Sequence, residues 1–287
     1  MEKPKIIVSG KNGQLGNELK DLSLSYPQFE FYFFDRTELD IARAADINAV
    51  FDKIKPAYFI NTAAYTAVDK AEAEQEQAYI INAEATGNIA KACKTHGAKL
   101  IHISTDYVFN GKGDEPYKED NATDPVNYYG YSKWMGEQLA LQNNPQTIVI
   151  RTSWVYSIYG NNFVKTMLRL MKERTDINVV NDQFGSPTYA KDLAAAIMQI
   201  ITQSATGFET GIYHFSNDGI ISWYEFAEAI KAIKKLSCNI RPINTSQYPT
   251  PAKRPFYSAM SKEKIVNTFH IGLRPWRQGL EECMGML

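Results

Sequence analysis

Lys5-Ile6-Ile7-Val8-Ser9-Gly10-Lys11-Asn12-Gly13-Gln14-Leu15-Gly16 decides the fold. The first five residues form a nearly continuous apolar run, as expected of a strand buried on both faces. The run leads straight into three glycines spaced G-x-x-G-x-x-G, after which Leu15, Leu19 and Leu22 recur at helical spacing. A glycine turn between a buried strand and a helix lets the backbone approach a diphosphate, which sits on the free N–H groups of the helix N-terminus. The spacing departs by one residue from G-x-G-x-x-G, so in isolation the turn also reads as a plain strand-to-helix connection.

The flanking sequence favours the dinucleotide reading. A second strand, 29–34, ends in Asp35, 19 residues beyond Gly16, where such a unit reads its ribose. Arg36 follows and suits a 2'-phosphate that Asp35 would repel, so these two residues leave NAD against NADP open. A helix around 46–55 precedes a strand at 58–61, which opens into Thr62-Ala63-Ala64-Tyr65-Thr66, small residues on which a flat ligand can lie. Residues 71–95 read as one long helix through Ala78, Ile81, Ala85, Ile89 and Ala92. A fourth strand, 99–104, ends in Ser104-Thr105-Asp106-Tyr107; these polar groups either face the same crevice or are ordinary turn formers. A long loop over 109–126 follows. A fifth strand, 147–151, ends in Thr152-Ser153-Trp154, and a tryptophan there either stacks on a sugar or base or packs in a core.

Chemistry enters at Tyr129-Gly130-Tyr131-Ser132-Lys133, the start of a helix. Positions i and i+4 share a helical face. A fixed ammonium stabilises a phenolate, so Lys133 is expected to lower the pKa of Tyr129 and fit it for acid–base work.

Composition narrows the classes. The chain has 287 residues, 44% hydrophobic, with 31 basic against 32 acidic residues and a net charge of -1, which gives no electrostatic case for nucleic acid or an anionic membrane. Cys93, Cys238 and Cys283 are odd in number, and the four histidines lack metal-ligand spacing, so a reducing compartment and no metal site are expected. No apolar run approaches the roughly 20 residues of a membrane helix, and the N-terminus has no signal-peptide core. The expectation is a cytoplasmic protein.

With Leu39-Asp40-Ile41, Asn61 to Asp69, Ser104 to Phe109, Arg151 to Tyr156, Asp182 to Thr188 and Arg254-Pro255 added to the glycine turn and the Tyr129/Lys133 pair, the chain resembles the extended short-chain dehydrogenase/reductase family over most of its length, specifically its dTDP-ketosugar reductases. The resemblance implies an α/β, Rossmann-type doubly wound parallel sheet over 1–156. A smaller C-terminal α+β substrate-binding domain would cover 157–287, with some segments returning to the main sheet. It implies NADPH as reductant, with NADH also accepted, and a dTDP-4-keto-6-deoxy sugar as substrate, reduced at C4 to give dTDP-L-rhamnose. On matching positions, Gly10, Asn12, Gly13, Gln14 and Leu15 would hold the diphosphate, Asp35 and Arg36 the adenosine ribose, Asp40 and Ile41 the adenine. Ala63, Ala64, Tyr65 and Thr66 would line the nicotinamide side. Thr105, Tyr129 and Lys133 would form the catalytic set, with Tyr129 and Lys133 also touching the cofactor. Val68, Asp106, Tyr107 and Trp154 would meet the sugar nucleotide, and Arg254 reads either as a contact to its nucleotide end or as an ordinary surface ion pair. The same resemblance extends to a non-catalytic NADP-binding regulatory subunit of methionine adenosyltransferase and to nucleotide-sugar 4-epimerases, which usually carry a longer C-terminal domain. In some members glutamates hold a metal at a dimer interface; Glu18 matches one ligand, but Lys191 stands where another is expected, which points to no metal and a monomer or weak homodimer.

In the second half, helices are expected at 163–173 and 190–201 and strands at 177–180 and 212–215. Ser222 and Glu225 form a capping box for a helix to about residue 236, which makes Trp223 a packing residue. The four prolines of 242–256 suggest an ordered loop over the crevice.

Overall fold

The computed structural model describes residues 2–204 and 207–287. In chain order the first half runs β1 (Lys5–Ser9), α1 (Gln14–Ser23), β2 (Glu30–Phe34), α2 (Ala44–Ile54), β3 (Tyr58–Asn61), α3 (Val68–Ala71), α4 (Gln75–Tyr79), a π turn (Ile80–Glu84), α5 (Ala85–His96), β4 (Lys99–Thr105), α6 (Tyr128–Asn143) and β5 (Thr147–Thr152). The second half runs β6 (Val155–Tyr156), α7 (Phe163–Glu173), β7 (Asp176–Val180), β8 (Phe184–Gly185), β9 (Thr188–Tyr189), α8 (Ala190–Gln203), β10 (Gly211–His214), β11 (Ile221–Ser222), α9 (Trp223–Lys234), β12 (Asn239–Ile243), α10 (Glu263–Phe269) and α11 (Trp276–Gly285).

Six strands make the main sheet in the order β10-β5-β4-β3-β1-β2, every pair parallel. Parallel pairing needs crossovers, and these cover both faces. The alternation within β1 shows it: Ile6 and Val8 pack with Leu15 and Leu19 of α1 and with Leu193 and Ile197 of α8. Ile7 packs on the opposite side with Ile47 and Phe51 of α2 and Ile89 of α5. This is the doubly wound α/β sheet expected from the sequence. The strand expected at 212–215 forms as β10 and joins the main sheet beside β5. A separate apolar core lies under α7, α9 and α11, where Val164, Phe226, Ile230 and Leu280 meet Ile177 and Ile240.

Two elements differ from the sequence reading. The single helix expected over 71–95 is broken: α3 stops at Ala71, α4 starts at Gln75, and the π turn follows. The turn brings Asn82 round to clamp Tyr65, whose N–H donates to Asn82 Oδ1 at 2.8 Å and whose carbonyl accepts from Asn82 Nδ2 at 3.1 Å. An apolar repeat at helical spacing survives such a turn, so periodicity does not reveal it. The loop expected from residue 242 begins inside β12, which pairs parallel with β7, Pro242 included. Proline fits this two-stranded sheet because an edge strand need not donate on its open side.

Candidate active site

The C-terminal ends of β1 to β5 open onto one cleft of about 950 Å³, whose wall includes Ser9, Asp35, Thr62, Thr105 and Thr152. The glycine turn forms its floor. Gly13, the N-cap of α1, offers no side chain to the helix N-terminus, and no acid stands in the first turn. The leading N–H groups are therefore free for an anion. Gly16 explains the tightness of the turn, because a Cβ there would lie 2.3 Å from the Gly10 carbonyl oxygen. Gln14 ties the floor to the second half of the chain: its Nε2 donates to the Val155 carbonyl at 3.2 Å, and its Oε1 accepts from Asn162 Nδ2 at 3.0 Å.

At the far end of β2, Asp35 accepts from the Thr37 N–H at 2.9 Å and from Thr37 Oγ1 at 2.6 Å, with Lys11 Nζ 3.2 Å away. The Thr37 contacts, with Lys11 behind them, hold its carboxyl far below the usual range. Lys11 also donates to Glu38 at 2.5 Å. Arg36 is exposed on the cleft wall beside Asp40 and Ile41.

Helix α6 is set by Asn127, whose side chain accepts from the Gly130 N–H at 2.8 Å and donates to the Lys253 carbonyl at 2.8 Å. Gly130 seats the helix against the turn after β4, since a Cβ there would lie 2.2 Å from the Tyr107 carbonyl oxygen. That approach puts the Tyr129 ring edge-on to Tyr107, at 5.8 Å and 78°. Lys133 is 2% exposed; its ammonium donates to the Ile103 carbonyl at 2.6 Å and stands 3.4 Å from His102 Nε2. Burial lowers the Lys133 pKa to about 8, with the Glu137 charge pulling the other way. Burial pushes the Tyr129 phenol up to about 12, opposed by its contact with Thr105. The expected depression of the phenol by Lys133 is thus corrected: the ammonium is turned to Ile103 and His102, and desolvation of the phenolate dominates. Beneath the site, Arg151 and Glu137 form a buried two-pronged ion pair, 2.9 and 2.7 Å, with 2% and 0% side-chain exposure.

The structure brings most of the expected site residues together on this wall: Gly10, Gly13, Gln14, Leu15, Asp35, Arg36, Asp40, Ile41, Ala63, Ala64, Tyr65, Thr66, Thr105, Asp106, Tyr107, Tyr129, Lys133 and Trp154. Asn12, Val68 and Arg254 stand outside it. Asn12 donates to Asp35 at 3.3 Å, and Arg254 grips Asp69 with two bonds of 3.0 and 2.9 Å. Trp223, expected only to pack, lines the cleft and stacks on Trp154 at 3.5 Å and 11°. Trp154 holds φ at +50°, unusual for a bulky residue and a mark of a position fixed by its surroundings. Asn82 and His102 are the supporting residues that the sequence reading missed; no local pattern marks either.

A family model described as the RmlD substrate binding domain matches residues 4–287. The chain is 41% identical over 285 residues to a dTDP-4-dehydrorhamnose reductase of Aggregatibacter actinomycetemcomitans, covering 96% of this chain and 97% of that one. It is 42% identical to the spore coat polysaccharide biosynthesis protein SpsK of Bacillus subtilis, covering 98% and 96%. A solved structure of the Bacillus anthracis dTDP-4-dehydrorhamnose reductase in complex with NADP superposes with a TM-score of 0.95 at 42% identity, over 100% of both chains.

Proposed function

Because this chain belongs to the dTDP-4-dehydrorhamnose reductase family, that of the RmlD substrate binding domain, we propose that it reduces the 4-keto group of dTDP-4-dehydro-L-rhamnose with NADPH, giving dTDP-L-rhamnose. One observation carries the reading: Thr105, Tyr129 and Lys133 meet on the wall of the cleft whose floor is an uncapped helix N-terminus behind a glycine turn. A dinucleotide fits those residues, with diphosphate on Gly13, Gln14 and Leu15 and ribose at Asp35. Lys11 and Arg36 supply cations for a 2'-phosphate, and Asp35 supplies acceptors for a bare ribose, so both NADPH and NADH are substrates in this reading.

When bound, NADPH supplies the hydride that reaches the ketone carbon. Charge then grows on the ketone oxygen, and Tyr129 donates its proton there. A phenol held near 12 stays protonated at neutral pH, which suits a donor. Lys133 has two N–H directions taken by Ile103 and His102, leaving the third for a ribose hydroxyl. The stacked Trp154 and Trp223 offer an aromatic wall to the sugar nucleotide. In this reading residues 1–156 hold the cofactor and 157–287 the sugar nucleotide. The protein acts in the cytoplasm as a monomer or weak homodimer without a bridging metal; Lys191 supports this, since it donates to Glu282 at 2.6 Å within one chain.

The test is loss of reduced-nicotinamide absorbance with dTDP-4-dehydro-L-rhamnose generated in situ and NADPH or NADH in parallel. Substrate-dependent oxidation is expected with both. Absence of oxidation by a protein that binds NADPH refutes the reductase reading and leaves the dinucleotide-binding module.

A further inference from the structure

We propose that Glu38 sets the choice between NADPH and NADH by holding Lys11 away from the adenosine ribose, an inference that rests on the dinucleotide half of the reading above and not on the sugar. Four charged side chains stand where β2 ends and the glycine turn begins: Lys11, Asp35, Arg36 and Glu38. Their signs cancel. Discrimination between the two cofactors concerns only the 2'-phosphate, so what matters is which of the two cations is free to meet it.

Arg36 is free: it is exposed on the cleft wall and has no ion pair among the described residues. Lys11 is engaged. Its ammonium lies 2.5 Å from Glu38 Oε2 and 3.2 Å from Asp35 Oδ2, and unlike Asp35 and Arg36 it is not part of the cleft wall. Backbone contacts fix this arrangement within the chain itself. The Lys11 N–H donates to the Phe34 carbonyl at 3.0 Å, which ties the glycine turn to the end of β2. The Leu39 N–H donates to the Asp35 carbonyl at 2.9 Å, and the buried Leu39 side chain anchors that turn in the core with Ile47 and Phe51 of α2. Glu38 Oε2 also accepts from the Asp35 N–H at 3.0 Å, so the carboxylate is held on two sides. Lys11 keeps this carboxyl below its usual range, and the pair is charged at neutral pH.

The two cofactors feel this pair differently. A bare ribose needs acceptors. Asp35 Oδ1 is filled by the Thr37 N–H and hydroxyl, whereas Oδ2 has only the longer contacts with Asn12 and Lys11, 3.3 and 3.2 Å, and is the oxygen open to a ribose. A 2'-phosphate brings a charge of roughly −1.5 to −2 beside Asp35 and Glu38. It gains the full attraction of Lys11 only when that ammonium leaves Glu38. Breaking the contact subtracts from NADPH affinity and leaves NADH binding untouched, and that difference is the specificity. Glu38 thereby keeps the site open to both reductants.

The test measures binding alone. Wild type and Glu38→Gln are titrated with NADPH, NADH, 2',5'-ADP and 5'-AMP by calorimetry at low salt. Glu38→Gln should bind NADPH and 2',5'-ADP about five- to twentyfold more tightly, the scale of one charge contact at a partly exposed site, with NADH and 5'-AMP held within about twofold. The gain should shrink as salt is raised, because exposed charges are screened. Adding Lys11→Met to Glu38→Gln should return the NADPH-to-NADH ratio toward wild type, and Glu38→Asp, which keeps the charge, should leave it near the wild-type value. Equal shifts for NADPH and NADH, which a merely structural role of the turn would produce, overturn the assignment. So does an unchanged ratio in Glu38→Gln, or a double variant that keeps the whole gain. No sugar nucleotide is present, so failure of the reductase reading leaves these results standing. A wild type that binds neither NADPH nor NADH overturns the dinucleotide reading and the role of Glu38 together. NADH binding by each variant establishes that it is folded.

Discussion

Glu137→Gln tests the electrostatic foundation beneath the site. Wild-type Glu137 and Arg151 bond twice, at 2.9 and 2.7 Å, with 0% and 2% side-chain exposure. The other neighbours of the guanidinium are the Phe109 ring, 5.0 Å below it, and His214 Nε2 at 3.5 Å. Burial keeps His214 neutral, its pKa lowered to about 3, so it adds no second cation, and the nearby Glu119 carboxylate accepts from the His214 N–H at 3.2 Å rather than from the guanidinium. The amide retains one acceptor and loses the charge, leaving a buried cation with no bonded counter-charge and only the more distant Glu119, a change worth about 3–5 kcal/mol. At about 2–4 °C per kcal/mol for chains approaching this size, the melting temperature should fall by roughly 6–20 °C, followed by circular dichroism without cofactor. The paired replacement Glu137→Leu with Arg151→Met removes both charges and should melt within a few degrees of wild type, because well-packed apolar residues commonly equal a buried ion pair. A Glu137→Gln protein melting within about 2 °C of wild type, less than 1 kcal/mol on that scale, would refute the view that Arg151 depends on this one counter-charge.

Three further outcomes follow from the site. Tyr129→Phe should lose about 100-fold or more in kcat, the value of a general acid, while NADPH binding measured by fluorescence changes little. Trp223→Ala should raise the KM for the sugar nucleotide by roughly three- to tenfold with kcat held, since aromatic stacking contributes about 0.5–1.5 kcal/mol and the residue walls the cleft. NADPH affinity should fall as pH rises through about 8, because the buried Lys133 is an ammonium below that pH and a neutral amine above it; Lys133→Met should bind weakly at every pH, and titration of both proteins across that range checks the assignment.

What the sequence showed and what it hid divide by range. The first five parallel strands, the glycine turn and Asp35 were legible because each is a local pattern: an apolar run, a spacing, a fixed offset; which later strand returns to the sheet was not, since 177–180 and 212–215 look alike and only the latter joins β5. The π turn was not, because Ala78, Ile81, Ala85 and Ile89 keep a helical rhythm through it. The Trp154–Trp223 stack joins residues far apart in the chain, and no local signal announces that two aromatics will meet. Arg254, a conspicuous cation in a proline-rich loop, proved to belong to Asp69, 185 residues away.

The Tyr129–Lys133 pair marks the limit most sharply. Their spacing on one helical face was readable, and the structure places both on the cleft wall. Spacing carries no information about depth, however, and depth decides the sign of the pKa shift. For a half-buried ring on the cleft wall, desolvation of the phenolate outweighs a neighbouring cation unless that cation points at the oxygen. Here the Ile103 carbonyl, at 2.6 Å, holds the ammonium elsewhere. The contact that lowers the Tyr129 pKa instead comes from Thr105, the residue whose own proton is committed to Asp106. The surroundings of the phenol are therefore set by the turn after β4 as much as by the face of α6, because Gly130 seats Tyr129 against the Tyr107 carbonyl while Lys133 faces the strand.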